Sequence, residues 1–324
     1  MTLKSTAYVE CGDNPFPLPS PPLPHPPSML RILLLLLPLL AHAGEHTMTH
    51  PPLKTWLPET APRAVILALH SFGDYSAAFE HVGPWFAARG YALYTWDQRG
   101  FGAHDNAGEW PGGEVLEQDL LRVINTVRER HNGPLFVLGE SLGGAVAINV
   151  AARNPEADID GLLLLAPAVR EGIRLRYGWN LAINTAALFR PGHLLEVERR
   201  ADDPRFRPAS AQRLANDPHV LREVRMDAYQ GLIRYADRAS DIAPALRQPV
   251  LLMYGGEDNS VPAVSIQRLR EHLGEQATYH FYPDGPHLLL QGRQWEQVLT
   301  DSLGWLERTR TAEERTELIY SGAY

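Results

Sequence analysis

One short stretch of the chain is arranged for nucleophilic chemistry: Gly139-Glu140-Ser141-Leu142-Gly143-Gly144. The apolar residues 135–138 precede it, and the helix-forming residues 145–152 follow. A serine on a tight strand-to-helix turn presents its hydroxyl above a sheet, and glycines on either side let strand and helix pack close together. The N–H of Leu142 and the start of the helix then point to where negative charge develops on an attacked carbonyl. A serine hydroxyl is a weak nucleophile at neutral pH and needs a base. In sites of this kind the partners follow along the chain as serine, acid, histidine. Asp258 comes after the apolar run VLLMY, and His287 after TYHFY. The expectation is that Ser141 attacks, His287 takes its proton, and Asp258 orients and stabilises the imidazolium. Glu257 and Asp284 are neighbouring carboxylates that compete with Asp258 for that role. His280 sits inside a strand-like run and reads as a packed or surface histidine. A second oxyanion donor is expected from the loop His70-Ser71-Phe72-Gly73, namely the N–H of Phe72, with His70 as an anchor of that loop.

Such residues have to be held at strand ends. Residues 64–69 (AVILAL), 91–96, 135–138, 161–165 (GLLLL), 250–254 and 278–282 read as strands. Uninterrupted apolar runs of this kind are those of strands covered on both faces. Between them, Phe79, Val82, Trp85 and Phe86 recur at helical spacing. Residues 115–130 place Leu116, Leu120, Val123, Ile124 and Val127 on one stripe, and residues 264–273 and 295–306 also read as helices. This alternation predicts an α/β fold, a mostly parallel central sheet flanked by helices, with its site beyond the carboxyl ends of the strands. Upstream only residues 53–57 (LKTWL) resemble a strand, so that edge of the sheet is expected to be thin. Between about 168 and 247 the alternation stops. This stretch reads as helices and loops, a helical cap inserted between strands, with an apolar patch at Leu181, Ile183, Leu188 and Phe189. Glu196, Glu198, Asp202 and Asp203 within it read as a solvated charged stretch.

The chain's 324 residues suit one large α/β domain with an insertion. A net charge of −8 and the lack of a Lys/Arg-rich run exclude nucleic acid as the main partner. The single cysteine, Cys11, excludes an internal disulfide and a four-cysteine metal site. His42, His46 and His50 stand four apart but lie in or beside a leader, and read as solvent-facing rather than as metal ligands. That leader, residues 1–43, differs from the rest. Pro15 to Pro27 is proline-rich, and Met29-Leu30-Arg31 opens onto apolar residues 32–40 and Ala41-His42-Ala43. A positive start, a short apolar core and an A-x-A ending make a secretory signal. The run is too short to span a bilayer, which needs ~20 residues. Met29 is then the expected start, and cleavage after Ala43 leaves residues 44–324 as one periplasmic or secreted domain. With the signal unused, the chain is expected to be cytoplasmic or membrane-associated.

Taken together, HSFGDYS, DQRGFG, GESLGG, GGEDNSVP and YPDGPHLLL resemble the motifs of bacterial α/β-hydrolases of the monoacylglycerol lipase and lysophospholipase group, also called serine aminopeptidase-like hydrolases. The resemblance runs from about residue 63 to about residue 306. It implies the α/β-hydrolase fold and a triad at Ser141, Asp258 and His287. It further implies oxyanion donors at Phe72 and Leu142, and hydrolysis of a carboxylic ester of a lipid-like alcohol without cofactor or metal. A cap forming an apolar channel for an acyl chain also follows, with peripheral membrane contact through that cap. Asp97 and Arg99 of DQRGFG are expected to tie loops together rather than to catalyse. The sequence departs from the pattern at Ser71, where the family usually has glycine. Within the same chemistry, a small ester, a thioester or an N-terminal peptide bond is the alternative substrate. A silent binding protein is the alternative outside it. Epoxide hydrolases and haloalkane dehalogenases of this fold use an aspartate nucleophile, and Ser141 argues against both.

Overall fold

Runs of apolar residues build the central sheet because each is buried from end to end. The structure, a computed structural model, describes residues 51–171 and 174–320. The leader with its signal-like segment, Cys11, His42, His46 and His50 lie outside the described residues. In chain order the elements are β1 (Lys54–Trp56), β2 (Ala64–Leu69), α1 (Val82–Ala87), β3 (Tyr91–Thr95), α2 (Gly113–Arg128), β4 (Leu135–Glu140), α3 (Leu142–Arg153) and β5 (Gly161–Leu165). There follow α4 (Asn180–Phe189), β6 (Leu194–Glu196), α5 (Pro208–Asn216), β7 (Glu223–Arg225) and α6 (Met226–Ile242). The chain closes with β8 (Val250–Gly255), α7 (Ala263–Leu273), β9 (Ala277–Tyr282) and α8 (Trp295–Tyr320).

Seven of these strands form the central sheet, in the order β1-β3-β2-β4-β5-β8-β9. All neighbours are parallel except β1, which runs antiparallel to β3. The strand period of two divides the core cleanly. Val65, Leu67 and Leu69 of β2 face one layer with α2, α3, α6 and α7. Ala64, Ile66 and Ala68 face the other with α1 and α8. The chain turns outward in opposite directions from β2 and β4, so the loops that follow these two strands emerge side by side.

Three local expectations are revised. The stretch Phe79 to Phe86 is a 3₁₀ turn, Ser76–Phe79, followed by the short α1, rather than one helix. Pro84 explains the break. Its ring clashes with the carbonyl four residues upstream and is tolerated only in a first turn. The final helix runs to Tyr320, well past the expected end. The insertion between β5 and β8 is not helices and loops alone, since β6 and β7 pair antiparallel through Leu194↔Arg225 and Glu196↔Glu223. Three-residue, half-exposed strands leave no alternation long enough to read.

The insertion is fastened to the loops at the sheet's carboxyl edge. Arg213 of α5 holds both oxygens of Asp74, at 2.6 and 2.8 Å. Asp74 is fully buried. The N–H of Leu221 donates to Gly73 O at 2.8 Å, and the Tyr75 hydroxyl donates to Asp217 at 2.6 Å. Gln291 accepts from Ser210 Oγ and, through its carbonyl, from the Arg207 N–H, both at 3.0 Å. Removing one partner from a buried ion pair leaves a desolvated charge behind, whereas removing both does not. Asp74→Ala is therefore expected to destabilise the protein by about 3–5 kcal/mol in chemical denaturation. Adding Arg213→Met to that variant is expected to recover most of the loss. An equal or larger loss in the double variant would contradict this account of the clamp.

Candidate active site

The turn after β4 shows the strain that a nucleophile elbow requires. Ser141 has φ 53° and ψ −112°, a backbone conformation that side-chain-bearing residues rarely hold. Such a residue costs about 1–3 kcal/mol and persists only where its surroundings over-determine it. Here the Ser141 N–H donates to Leu165 O at 3.0 Å, and its carbonyl accepts from Ala168 N at 2.8 Å and Ala145 N at 3.1 Å. The flanking glycines are required by contact. A Cβ on Gly143 would overlap the carbonyl of Leu69, and one on Gly139 would overlap the backbone of Gly143. Register completes the placement. Leu69 pairs with Gly139 across β2 and β4, so His70 to Gly73 and Ser141 leave adjacent strand ends together.

Asp258 and His287 are placed the same way. Gly255 of β8 pairs with Tyr282 of β9, and the two loops leave that pair side by side, with the Glu257 N–H donating to Gly285 O at 2.9 Å. His287 Nδ1 lies 2.8 Å from Asp258 Oδ2. Asp258 Oδ1 accepts from the N–H groups of Ser260 at 2.7 Å and Val261 at 2.9 Å. A carboxylate only accepts, so Nδ1 carries the proton of the neutral ring and Nε2 is left free to accept one. The Asp258 side chain is fully buried and that of His287 is partly exposed. Glu257 and Asp284 are exposed and make no hydrogen bond to His287. His280 lies 3.5 Å from Asp301, away from this pair.

Ser141 and His287 line one cavity of about 660 Å³, together with Ser71 and Phe72. This volume falls in the usual range for small-molecule sites, ~300–1,000 Å³. Leu142 opens α3, where N–H groups have no intrahelical acceptor, and Phe72 lines the cavity from the loop after β2. The far wall comes from the insertion and is largely apolar, with Ile183, Leu214, Val224 and Leu232. Glu196, Glu198 and Asp203 also border the cavity, so the stretch read as merely solvated faces the site.

His70 anchors its loop. Its Nδ1 donates to Ser71 O at 2.9 Å, and its Nε2 accepts from Gln98 N at 2.9 Å. Burial lowers its pKa and both ring nitrogens are engaged, so it has no free nitrogen for proton transfer. Asp97 accepts from the N–H groups of Ser76 and Ala103, at 3.0 and 3.2 Å. Arg99 grips Asp119 through two bonds of 2.7 Å. Both residues tie loops, as their motif suggested. Ser71 is buried and its hydroxyl has no hydrogen-bond partner.

Sequence reasoning passed over Glu140, the variable position of the serine motif. Its carboxyl is fully buried, with Oε1 accepting from the Leu290 N–H at 3.1 Å and Oε2 unpartnered. It links the serine turn to the loop that carries His287. Burial pushes its pKa up to about 8. An ionisable residue flanked by the apolar run of β4 was the signal available.

A family model described as serine aminopeptidase, S33 matches residues 60–294. A monoacylglycerol lipase of Mycolicibacterium smegmatis is 24% identical over 271 residues, covering 78% of this chain and 90% of that protein. An uncharacterised abhydrolase domain-containing protein of Dictyostelium discoideum is 24% identical over 273 residues, and the chain spans 28% of its length. Among solved structures, the monoacylglycerol lipase of Paleococcus ferrophilus superposes with a TM-score of 0.65 at 20% identity, over 80% of this chain and 98% of that one. The fold is that of the α/β-hydrolases.

Glu140 makes stability depend on pH. It ionises near 4.5 when exposed and near 8 when buried, so the folded state binds the extra proton between those values. Its contribution is complete below pH 4.5 and is lost as pH rises through about 8. Glu140→Gln is expected to flatten the fall in Tm across that window, measured by thermal melts at a series of pH values. An unchanged slope would mean that Glu140 is already ionised in the folded protein.

Proposed function

The chain belongs to the serine aminopeptidase, S33 family, and on that footing we propose that it cleaves carboxylic esters of lipid-like alcohols, monoacylglycerols or lysophospholipids, through an acyl-enzyme on Ser141. The observation that carries this reading is the 2.8 Å pairing of His287 with Asp258 on the wall of the cavity that Ser141 lines. Ser141 attacks the ester carbonyl while its proton passes to His287 Nε2. The oxyanion is received by the N–H groups of Phe72 and Leu142. His287 then returns the proton to the departing alcohol. Water, deprotonated by the same nitrogen, releases the acid and restores Ser141.

The apolar insertion supports an acyl chain as occupant of the far wall. Its outer surface supports contact with a lipid surface. Leu181, Leu188 and Phe189 of α4 are 71–77% exposed and lie on one helix face, with Trp179 at 58% just before it. An exposed apolar patch of this kind is a site of interaction. Glu196 and Glu198 could hold the free amine of a peptide, but they are exposed, and the less exposed carboxylate of the same wall, Asp203, is already paired with Arg205.

The test is a series of p-nitrophenyl esters from acetate to palmitate on the wild type and on Ser141→Ala. The wild type is expected to be fastest with medium or long chains, and the variant to lose kcat by about 10⁴-fold or more. A maximum at acetate would move the substrate to small esters. Substantial turnover by Ser141→Ala would remove Ser141 as the nucleophile.

A further inference from the structure

A guanidinium without a carboxylate stands in the wall of this cavity. Arg199 follows β6 in the insertion and lines the cavity with Ser141 and His287. Its Nε is shielded from solvent and has no hydrogen-bond partner. The other arginines that line the cavity are matched, Arg205 by Asp203, Arg200 by Asp202 and Arg170 by Asp237, and Arg213 of α5 is matched by Asp74. Asp74 attracts Arg199 but is already held at both oxygens by Arg213, whose own charge opposes Arg199. Glu198, next along the chain, is exposed and forms no ion pair with Arg199 among the described residues.

Burial lowers the pKa of this guanidinium, yet a guanidinium stays charged throughout the ordinary pH range. A half-buried charge with a shielded Nε and no carboxylate partner is costly, and an acyl chain does nothing to offset it. Its position is informative. Nη2 of Arg199 lies 3.7 Å from where a Cβ on Gly73 would stand, so the guanidinium lies beside the loop that carries Phe72, which lines the same cavity as Ser141 and His287. The apolar wall is left for the acyl chain. A planar, multiply donating cation at such a place fits a phosphate or carboxylate.

We infer that Arg199 is an anion-binding group of the active cavity, and that the substrate is an acyl ester whose alcohol portion carries a phosphate or carboxylate a few atoms from the scissile bond. This rests on the ester-hydrolase reading above and narrows its substrate class. Neutral monoacylglycerols then become the poorer substrates.

The experiment has a kinetic and a binding part. The first compares kcat/KM for 1-lauroylglycerol, 1-lauroylglycerol 3-phosphate and the lauroyl ester of glyceric acid, on the wild type, Arg199→Met and Arg199→Lys. The wild type is expected to prefer an anionic ester, phosphate or carboxylate according to which is faster. Arg199→Met is expected to lower the ratio of anionic to neutral kcat/KM by about ten- to a hundredfold, mainly through KM, with Arg199→Lys restoring part of it. The second part titrates dodecyl phosphate into Ser141→Ala with and without Arg199→Met by calorimetry, where the added change is expected to weaken binding at least about tenfold. An unchanged ratio together with unchanged dodecyl phosphate binding would overturn the inference, as would an equal loss for neutral and anionic esters. If no ester is cleaved but dodecyl phosphate binding still depends on Arg199, the ester reading fails and the anion site stands.

Discussion

Everything at the candidate site depends on one close approach, that of the Leu69 carbonyl to the α-carbon of Gly143. No side chain fits between them. The contact presses α3 against the end of β2 and forces Ser141, at the junction of β4 and α3, into its positive-φ turn. The cost of about 1–3 kcal/mol is met because both sides of the turn are fully buried: every residue of β4, and α3 through Ala151. The same approach brings the loop from His70 to Gly73 beside the serine. The proposed nucleophile and oxyanion donors are thus positioned by backbone packing rather than by flexible side chains.

A second level of organisation is electrostatic, and it handles buried ionisable groups in different ways. Asp258 is held by His287 and two backbone N–H groups. Asp74 is matched by a cation from the insertion. Glu140 is left with one backbone donor, and burial raises its pKa to about 8, so it is mostly neutral at pH 7. Arg199 stays charged and unmatched. The first three tie loops together from three directions around the cavity. The fourth does not serve a scaffold in that way, which is why its charge is read as meant for a ligand.

Much of this was legible in the sequence, for identifiable reasons. The strands of the parallel sheet are continuous apolar runs, and burial on both faces leaves that signature unmistakable in AVILAL, GLLLL and VLLMY. Ser141, Asp258 and His287 could be picked because each follows such a run, and a parallel sheet delivers all its strand ends to one edge. Of the three carboxylates the sequence offered, Asp258 is the one in contact with His287, while Glu257 and Asp284 are exposed. What escaped was set by tertiary packing. The pairing of β6 with β7 is too short for a period to show. The partnership of Asp74 with Arg213 spans 139 residues and has no local mark. Arg199 reads in the sequence as one more charge in a polar stretch, and only the fold shows that it is half-buried in the cavity wall with its Nε shielded and unpaired.

The strained turn is expected to make Ser141, and not the neighbouring buried Ser71, the nucleophile of an acyl-transfer site. The most direct measurement is to treat the full chain with a lipid-like fluorophosphonate and locate the adduct by peptide mass spectrometry. One phosphonyl group per chain is expected, on Ser141, and none after His287→Ala under the same conditions. An adduct on Ser71, or no adduct on the folded wild type, would contradict it.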